Sequence, residues 1–171
     1  MRRSISTAVI VVLAGGLASL VACVDVVHED QVQALGGEQP GVPPGPLHRP
    51  GQPCLVCHGG SGPASSQFSI GGTVTRTQGQ PDPAPGVQVI LEDISGAVVT
   101  LTTNPAGNFY VPLQDWTPQY PLQVNGVLLG SNQAPPMSTH ISREGSCCGC
   151  HQPTGGPTSP GPIYLNTVSS P

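Results

Sequence analysis

Residues 54–58 read Cys-Leu-Val-Cys-His, and residues 147–151 read Cys-Cys-Gly-Cys-His. Both satisfy C-x-x-C-H, the attachment pattern of haem c. Two thiols separated by two residues can add as thioethers across the two vinyl groups of a haem, and the adjoining imidazole then meets the iron. The pattern implies two covalently attached haems on Cys54, Cys57, Cys147 and Cys150, with His58 and His151 as iron ligands. Three other chemistries use such cysteines. A C-x-x-C pair can close a local disulfide in an exported chain, two knuckles can hold zinc, and a low-pKa dithiol can exchange with other thiols. A disulfide gives no reason for a histidine after both pairs, and a zinc site leaves both histidines surplus. A thiol oxidoreductase needs the motif to open a helix in a βαβ setting, which the sequence does not show.

Each motif has a histidine upstream. His48 lies six residues before Cys54 and His140 seven before Cys147, each followed by a short Gly-containing spacer. The arrangement reads as a degenerate internal repeat, and it makes His48 and His140 the candidate second iron ligands. Each can serve its own haem, or the two can be exchanged between haems. Bis-histidine iron leaves no position for substrate and suits electron transfer. The competing readings are solvated loop histidines, or Met137 in place of His140 at one haem. His28 has no motif beside it and is given no role. Cys148 stands outside the C-x-x-C-H register, as a free thiol or a site for an intermolecular bridge.

Export is written at the N-terminus. Met1-Arg2-Arg3 precedes an uncharged, small and apolar run from Ala8 to Ala22, the form of a signal peptide and too short for a membrane span. Leu20-Val21-Ala22-Cys23 resembles the lipobox of bacterial lipoproteins. That resemblance implies cleavage after residue 22, lipidation of Cys23 and a lipid-anchored mature chain. Val24 follows where an inner-membrane retention signal would place Asp, so an outer-membrane anchor is expected, on either face. Beyond the paired arginines the twin-arginine motif is missing, which favours general secretion.

Charge narrows the partners. The chain has no lysine, and past the leader only Arg49, Arg76 and Arg143 oppose nine acidic residues. A surface of this sign repels phosphate backbones, which excludes nucleic acid. Redox proteins of the envelope, the membrane through Cys23, and further copies of the chain remain as partners. Charged residues make up only 8% of the chain, against a usual share near 25%. With 23 glycines and 21 prolines, irregular backbone is expected around one modest domain that needs covalent or cofactor support.

Six prolines fall between Pro40 and Pro53. Each removes a donor and restricts its predecessor, so this stretch cannot be helical. Residues 23–47 read as a Pro/Gly-rich tether with polyproline character, 48–66 as the first haem-binding segment, and 131–171 as the second with a C-terminal tail. Between them, Phe68–Arg76, Pro85–Asp93, Gly96–Thr103, Gly107–Leu113 and Tyr120–Leu129 alternate apolar and polar residues between Gly, Pro and Asn breaks. Such spacing predicts a mainly β fold, a small sandwich, with Val87, Val89 and Leu91 on one inward face. No amphipathic helical stripe of useful length is visible.

Within residues 67–130, Gly72-Thr73-Val74, Pro85-Gly86-Val87 and the turn Thr103–Gly107 leading into Asn108-Phe109-Tyr110 resemble the carboxypeptidase regulatory-like domain. The resemblance implies a small Greek-key sandwich related to transthyretin-like modules, structural or adhesive, with no active-site residues to carry over. By their two motifs alone the flanks resemble multihaem c-type cytochromes. The expected function is electron transfer at the cell envelope, without catalysis. The alternative is a surface adhesion or assembly module whose cysteines form disulfides. A dihaem peroxidase would need an open haem and a catalytic acid or base, for which Glu144 is the one candidate, and it is set aside.

Overall fold

The computed structural model describes residues 25–38 and 40–165. The leader and Cys23, with its expected lipidation, lie outside the described residues. Among the described residues, seven strands form two packed sheets. One has the order β4-β1-β7, from β1 (Phe68–Thr75), β4 (Asn108–Pro112) and β7 (Ile163–Tyr164). The other has the order β3-β2-β5-β6, from β2 (Gln88–Asp93), β3 (Val98–Thr102), β5 (Leu122–Leu129) and β6 (Asn132–Gln133). All pairs are antiparallel except β1 with β7. The expected mainly β sandwich is what forms.

Alternation places the core. Ile70 and Val74 of β1, Val89 and Leu91 of β2, Phe109 and Val111 of β4, and Leu122 and Val127 of β5 meet between the sheets. Val87 joins them, while Gln88 is exposed, as the period-2 pattern requires. Each fully buried aliphatic side chain contributes roughly 1.5–3 kcal/mol relative to exposure. The turn into β4 is built by Asn104, whose Oδ1 accepts from the amides of Ala106 at 2.9 Å and Asn108 at 3.1 Å. Gly107 closes it at φ +75°, where a Cβ would meet the Val74 carbonyl oxygen.

The region expected to be a tether is folded down in its described part. Val26–Ala34 forms a helix, α1, although it buries no residue. Its start is chemical: Asp25 Oδ1 accepts from the His28 amide at 3.1 Å, and Glu29 sits in the first turn. Beyond its end, the Arg49 guanidinium donates to the carbonyls of Leu35 at 3.3 Å and Gly36 at 2.7 Å. The proline-rich loop is held in turn by Asn108, whose Nδ2 donates to the His48 carbonyl at 2.9 Å. Side-chain donors replace those the prolines lack. The difference from expectation therefore rests on Arg49 and Asn108, not on helix periodicity.

Asp93, only 6% exposed, joins the β2–β3 turn to the loop before β5. Its carboxylate accepts from the Ser95 amide at 2.9 Å, the Ser95 hydroxyl at 2.6 Å, the Ala97 amide at 3.1 Å and the Gln119 amide at 3.0 Å. These bonds hold its pKa below the ordinary value, the Gln119 amide foremost. A depressed folded pKa gives stability that is full above the unfolded value, near 3.9, and is lost as pH falls through the folded one. Thermal unfolding followed from pH 7 downward should show Tm falling below about pH 4. Asp93→Asn should start from a lower Tm at neutral pH and lose this acid dependence.

Candidate haem-binding sites

Both C-x-x-C-H motifs lie on single helical turns. Residues Cys54–His58 form α2, and Cys147–Cys150 form α3 with His151 as its C-cap. One turn puts positions i, i+3 and i+4 on one side. Each pair of motif thiols therefore shares a face with its histidine, which is the physical sense of the spacing. The turns close through the Gly59 amide on the Leu55 carbonyl at 2.9 Å and the His151 amide on the Cys147 carbonyl at 2.8 Å.

Both turns pack on β1. A Cβ at Gly71 would lie 2.9 Å from Cys54 Cβ and 3.1 Å from its sulfur. A Cβ at Gly72 would lie 2.7 Å from Phe109 Cζ and 2.8 Å from Cys147 Cβ. The Gly-Gly pair thus makes room for one cysteine of each motif. Gly145 and Ser146 run alongside as a short parallel continuation, with the Gly71 amide donating to the Gly145 carbonyl at 3.0 Å, and deliver the chain into α3.

The two imidazoles are oriented alike. His58 Nδ1 lies 2.8 Å from the Ser66 carbonyl oxygen, and His151 Nδ1 lies 3.0 Å from that of Gly161. A carbonyl only accepts, so these contacts assign the proton to Nδ1 and leave the Nε2 lone pair available on both rings. Metal-bound histidines are held in this way. At the second motif, Ser159 gathers the following loop: its hydroxyl donates to the Cys150 carbonyl at 2.7 Å and accepts from the Gln152 and Gly161 amides at 3.1 Å each.

At the first motif a cleft of about 1100 Å³ is lined by Val32 and Leu35 of α1, Pro46, His48, His58 and Phe68. Its size exceeds the usual range for small-molecule sites, roughly 300–1,000 Å³. His48 enters from the proline-rich loop with its ring centroid 5.7 Å from that of His58, at an interplanar angle of 62°. Two imidazoles bound to one metal ion at nitrogen distances of about 2 Å sit roughly 6 Å apart. His48 Nδ1 is 3.3 Å from Glu38 Oε1, which also accepts from Arg49 Nε at 2.9 Å. The Arg49 hydrogen bond holds the Glu38 carboxyl below its usual pKa, and His48 adds to the effect. On its other side His58 stacks on Phe68 at 4.2 Å, and Phe68 on Tyr110 at 4.6 Å.

Among the described residues, four buried side-chain polar atoms have no hydrogen-bond partner: His28 Nε2, Glu38 Oε2, Ser146 Oγ and His48 Nδ1, whose approach to Glu38 Oε1 is an ionic contact without hydrogen-bond geometry. Glu38 and His48 line the first cleft, His28 belongs to the helix packed on α2, and Ser146 caps α3. The donor set, the free Nε2 atoms and the cleft fit a haem at the first motif. At the second motif a smaller groove of about 290 Å³ is lined by His151 and Cys148 but by neither Cys147 nor Cys150, and Cys150 is exposed.

His140 is not brought to His151. It is exposed, and the next residue, Ile141, pairs with Leu122 of β5 through bonds of 2.8 and 2.9 Å, in the other sheet. Met137 sits half-buried on the same segment. The Glu144 carboxylate lies near Gly149 of α3.

Cys54, Cys147 and Cys148 are not tuned as reactive thiols. All five described cysteines are free. Burial pushes the Cys54 thiol up to about 12, with Cys148 adding, and raises those of Cys147 and Cys148 as well. Reactive thiols are shifted the opposite way. Among the described residues no three His, Cys, Asp or Glu side chains gather around a common metal position, so a four-ligand zinc site is not assembled. Also among them, no helix is long and apolar enough to cross a membrane. No protein-family model, curated protein or solved structure matches the chain.

Gly72→Ala should force Phe109 and Cys147 apart at a cost of about 1–3 kcal/mol, read as a lowered urea midpoint. Gly37→Ala, whose Cβ meets nothing within 4 Å, should leave the midpoint in place.

Proposed function

We propose that the chain is a lipid-anchored dihaem c-type cytochrome that carries electrons at the cell envelope, held at the outer membrane through Cys23. The carrying observation is the matched orientation of His58 and His151, each with Nδ1 on a backbone carbonyl oxygen. A disulfide or surface-adhesion role gives no reason for it. Cys54 and Cys57 hold one haem and Cys147 and Cys150 the other, with His58 and His151 as iron ligands. His48 is the second ligand at the first haem. The haems supply one-electron chemistry between ferric and ferrous iron. The sandwich, read as a carboxypeptidase regulatory-like scaffold, fixes both attachment turns on one strand. Ser66 and Gly161 orient the ligating rings, and Phe68 covers one face of His58.

A second reading has one observation in its favour. Cys148 lies close enough to raise the pKa of both Cys54 and Cys147, and Cys54 adds to that of Cys147, as precursors of a disulfide-linked surface module would. The pyridine haemochrome assay separates the two. Protein matured in a host competent for cytochrome c assembly should give a c-type spectrum at two haems per chain, retained on denaturing gels. Cys54→Ser with Cys57→Ser should leave one haem. No covalent haem would overturn the cytochrome reading and leave the disulfide-bearing module.

The anchor is tested separately. Cys23→Ser should move the protein from the membrane pellet to the soluble fraction, with haem content per chain unchanged. Retention in the pellet would overturn the lipid anchor.

A further inference from the structure

Among the described residues the two sheets end in four edge strands, β4, β7, β3 and β6. Three are guarded. β6 and β7 are two residues long, and β4 ends in Pro112. Short edges and proline are ordinary protections against pairing with another chain. β3 has neither. Its five residues run Val98-Val99-Thr100-Leu101-Thr102, four of them β-branched, the type that suits a strand best. They carry no charge, and none falls between positions 94 and 114, in a chain of formal net charge −4.

The backbone of this edge opens outward at defined positions. The Thr103 amide donates to the Val87 carbonyl at 2.9 Å, and the Asp93 amide to the Ala97 carbonyl at 3.0 Å. Hydrogen-bonded pairs recur at every second residue of an antiparallel ladder. Val99 and Leu101 therefore turn their backbone groups to β2, opposite Leu91 and Val89. Val98, Thr100 and Thr102 turn theirs away, and among the described residues no backbone hydrogen bond from outside the sheet reaches them. Side chains alternate in step. Val98, Thr100 and Thr102 are exposed, whereas Val99 and Leu101 are half-buried against the core.

We propose that β3 is the surface through which two copies of this chain associate, antiparallel and two-fold about Thr100. Thr100 pairs with its counterpart and Val98 with the partner's Thr102, each pair exchanging amide and carbonyl bonds. Val99 then meets the partner's Leu101 at the non-hydrogen-bonded positions, where side chains approach most closely. The core that each edge leaves half-open closes across the axis. Threonine opposite threonine is itself a favourable cross-strand pair. Direction follows from charge, because the nearest acidic residues, Glu92 and Asp93, lie at the Val98 end. Antiparallel pairing sends the carboxylates of the two copies to opposite ends, whereas parallel pairing sets like charges side by side. A second copy fits because the edge is its own complement, the condition for an isologous two-fold interface. The pairing does not depend on haem attachment.

The test is sedimentation equilibrium of the full-length protein across a concentration series, with residue-resolved amide hydrogen exchange on the same samples. A dimer is expected. Its Val98, Thr100 and Thr102 amides should exchange more slowly as the protein is concentrated, while those of Val99 and Leu101 are protected throughout. Thr100→Pro removes an outward donor and no bond to β2. Thr100→Lys keeps that donor and sets like charges directly opposite on an exposed face. Both should be monomeric at every concentration, and the Lys variant should keep the Val99 and Leu101 protection that reports an intact sheet. A parent chain that stays monomeric overturns the proposal, as does a dimer that survives Thr100→Lys. So does protection of the three outward amides in a monomer, which places another segment of the same chain on the edge.

Discussion

Everything at the two motifs depends on the close approach of two one-turn helices to β1. That approach is possible because positions 71 and 72 carry no Cβ. Neither glycine has a left-handed backbone, so the requirement is space, not conformational freedom. Successive residues of a strand face opposite ways. Gly71 therefore receives Cys54 on the outer face, and Gly72 receives Cys147 beside Phe109 on the inner one. A strand buried on both faces usually fills them with Val or Ile. Here one residue pair gives up that packing so that chain from both sides of the sandwich can be seated on it.

The outer cover follows from the same strand. Thr73, next along, accepts from the Gly51 amide at 2.8 Å and donates to Asn108 Oδ1 at 2.8 Å, while Asn108 Nδ2 reaches back to the His48 carbonyl. Proline-rich chain makes few bonds to itself, here from the His48 amide to Gly45 and from the Gln52 amide to Arg49, so it needs such donors and acceptors from outside. Once bound, it places His48 opposite His58, and Arg49 draws in the end of α1 to complete the wall. The cleft is thus made largely of backbone with no regular structure, yet its position is set by side chains of β1 and β4.

Much of this was legible and some was not, for identifiable reasons. All five strands expected from alternation formed within a few residues of their expected ends, because a half-buried strand must show period 2. The two-residue strands β6 and β7 are too short to show any period. Helix α1 was hidden because it buries nothing, and only its Asp25 cap marks it in the sequence. The motif residues stand out by spacing, but their orienting partners do not. Ser66 and Gly161 act through carbonyl oxygens, which every residue possesses, so no side-chain pattern can reveal them. The apparent repeat treats His48 and His140 alike, whereas the fold separates them: His48 lies beside His58 through the loop held by Asn108, and His140 precedes the bridge of Ile141 to β5. Sequence spacing measures the length of the connecting chain, and the sheet on which that chain is pinned decides where it ends.

On the proposed reading, the shared strand has a consequence for electron flow. The two attachment turns meet adjacent residues of one hydrogen-bonded strand, about 3.3 Å apart along the chain. Their relative position is then fixed by sheet geometry, not by the flexible proline and glycine segments that lead into each motif. Electron exchange between two haems falls steeply with separation, so holding that separation constant matters more than holding either haem tightly to solvent-facing loops. A scaffold domain of few aromatic residues can do this because the work is done by backbone pairing, with β4 on one edge of β1 and Gly145, Ser146 and β7 on the other. The sandwich then does more than display the motifs: it sets the distance between them.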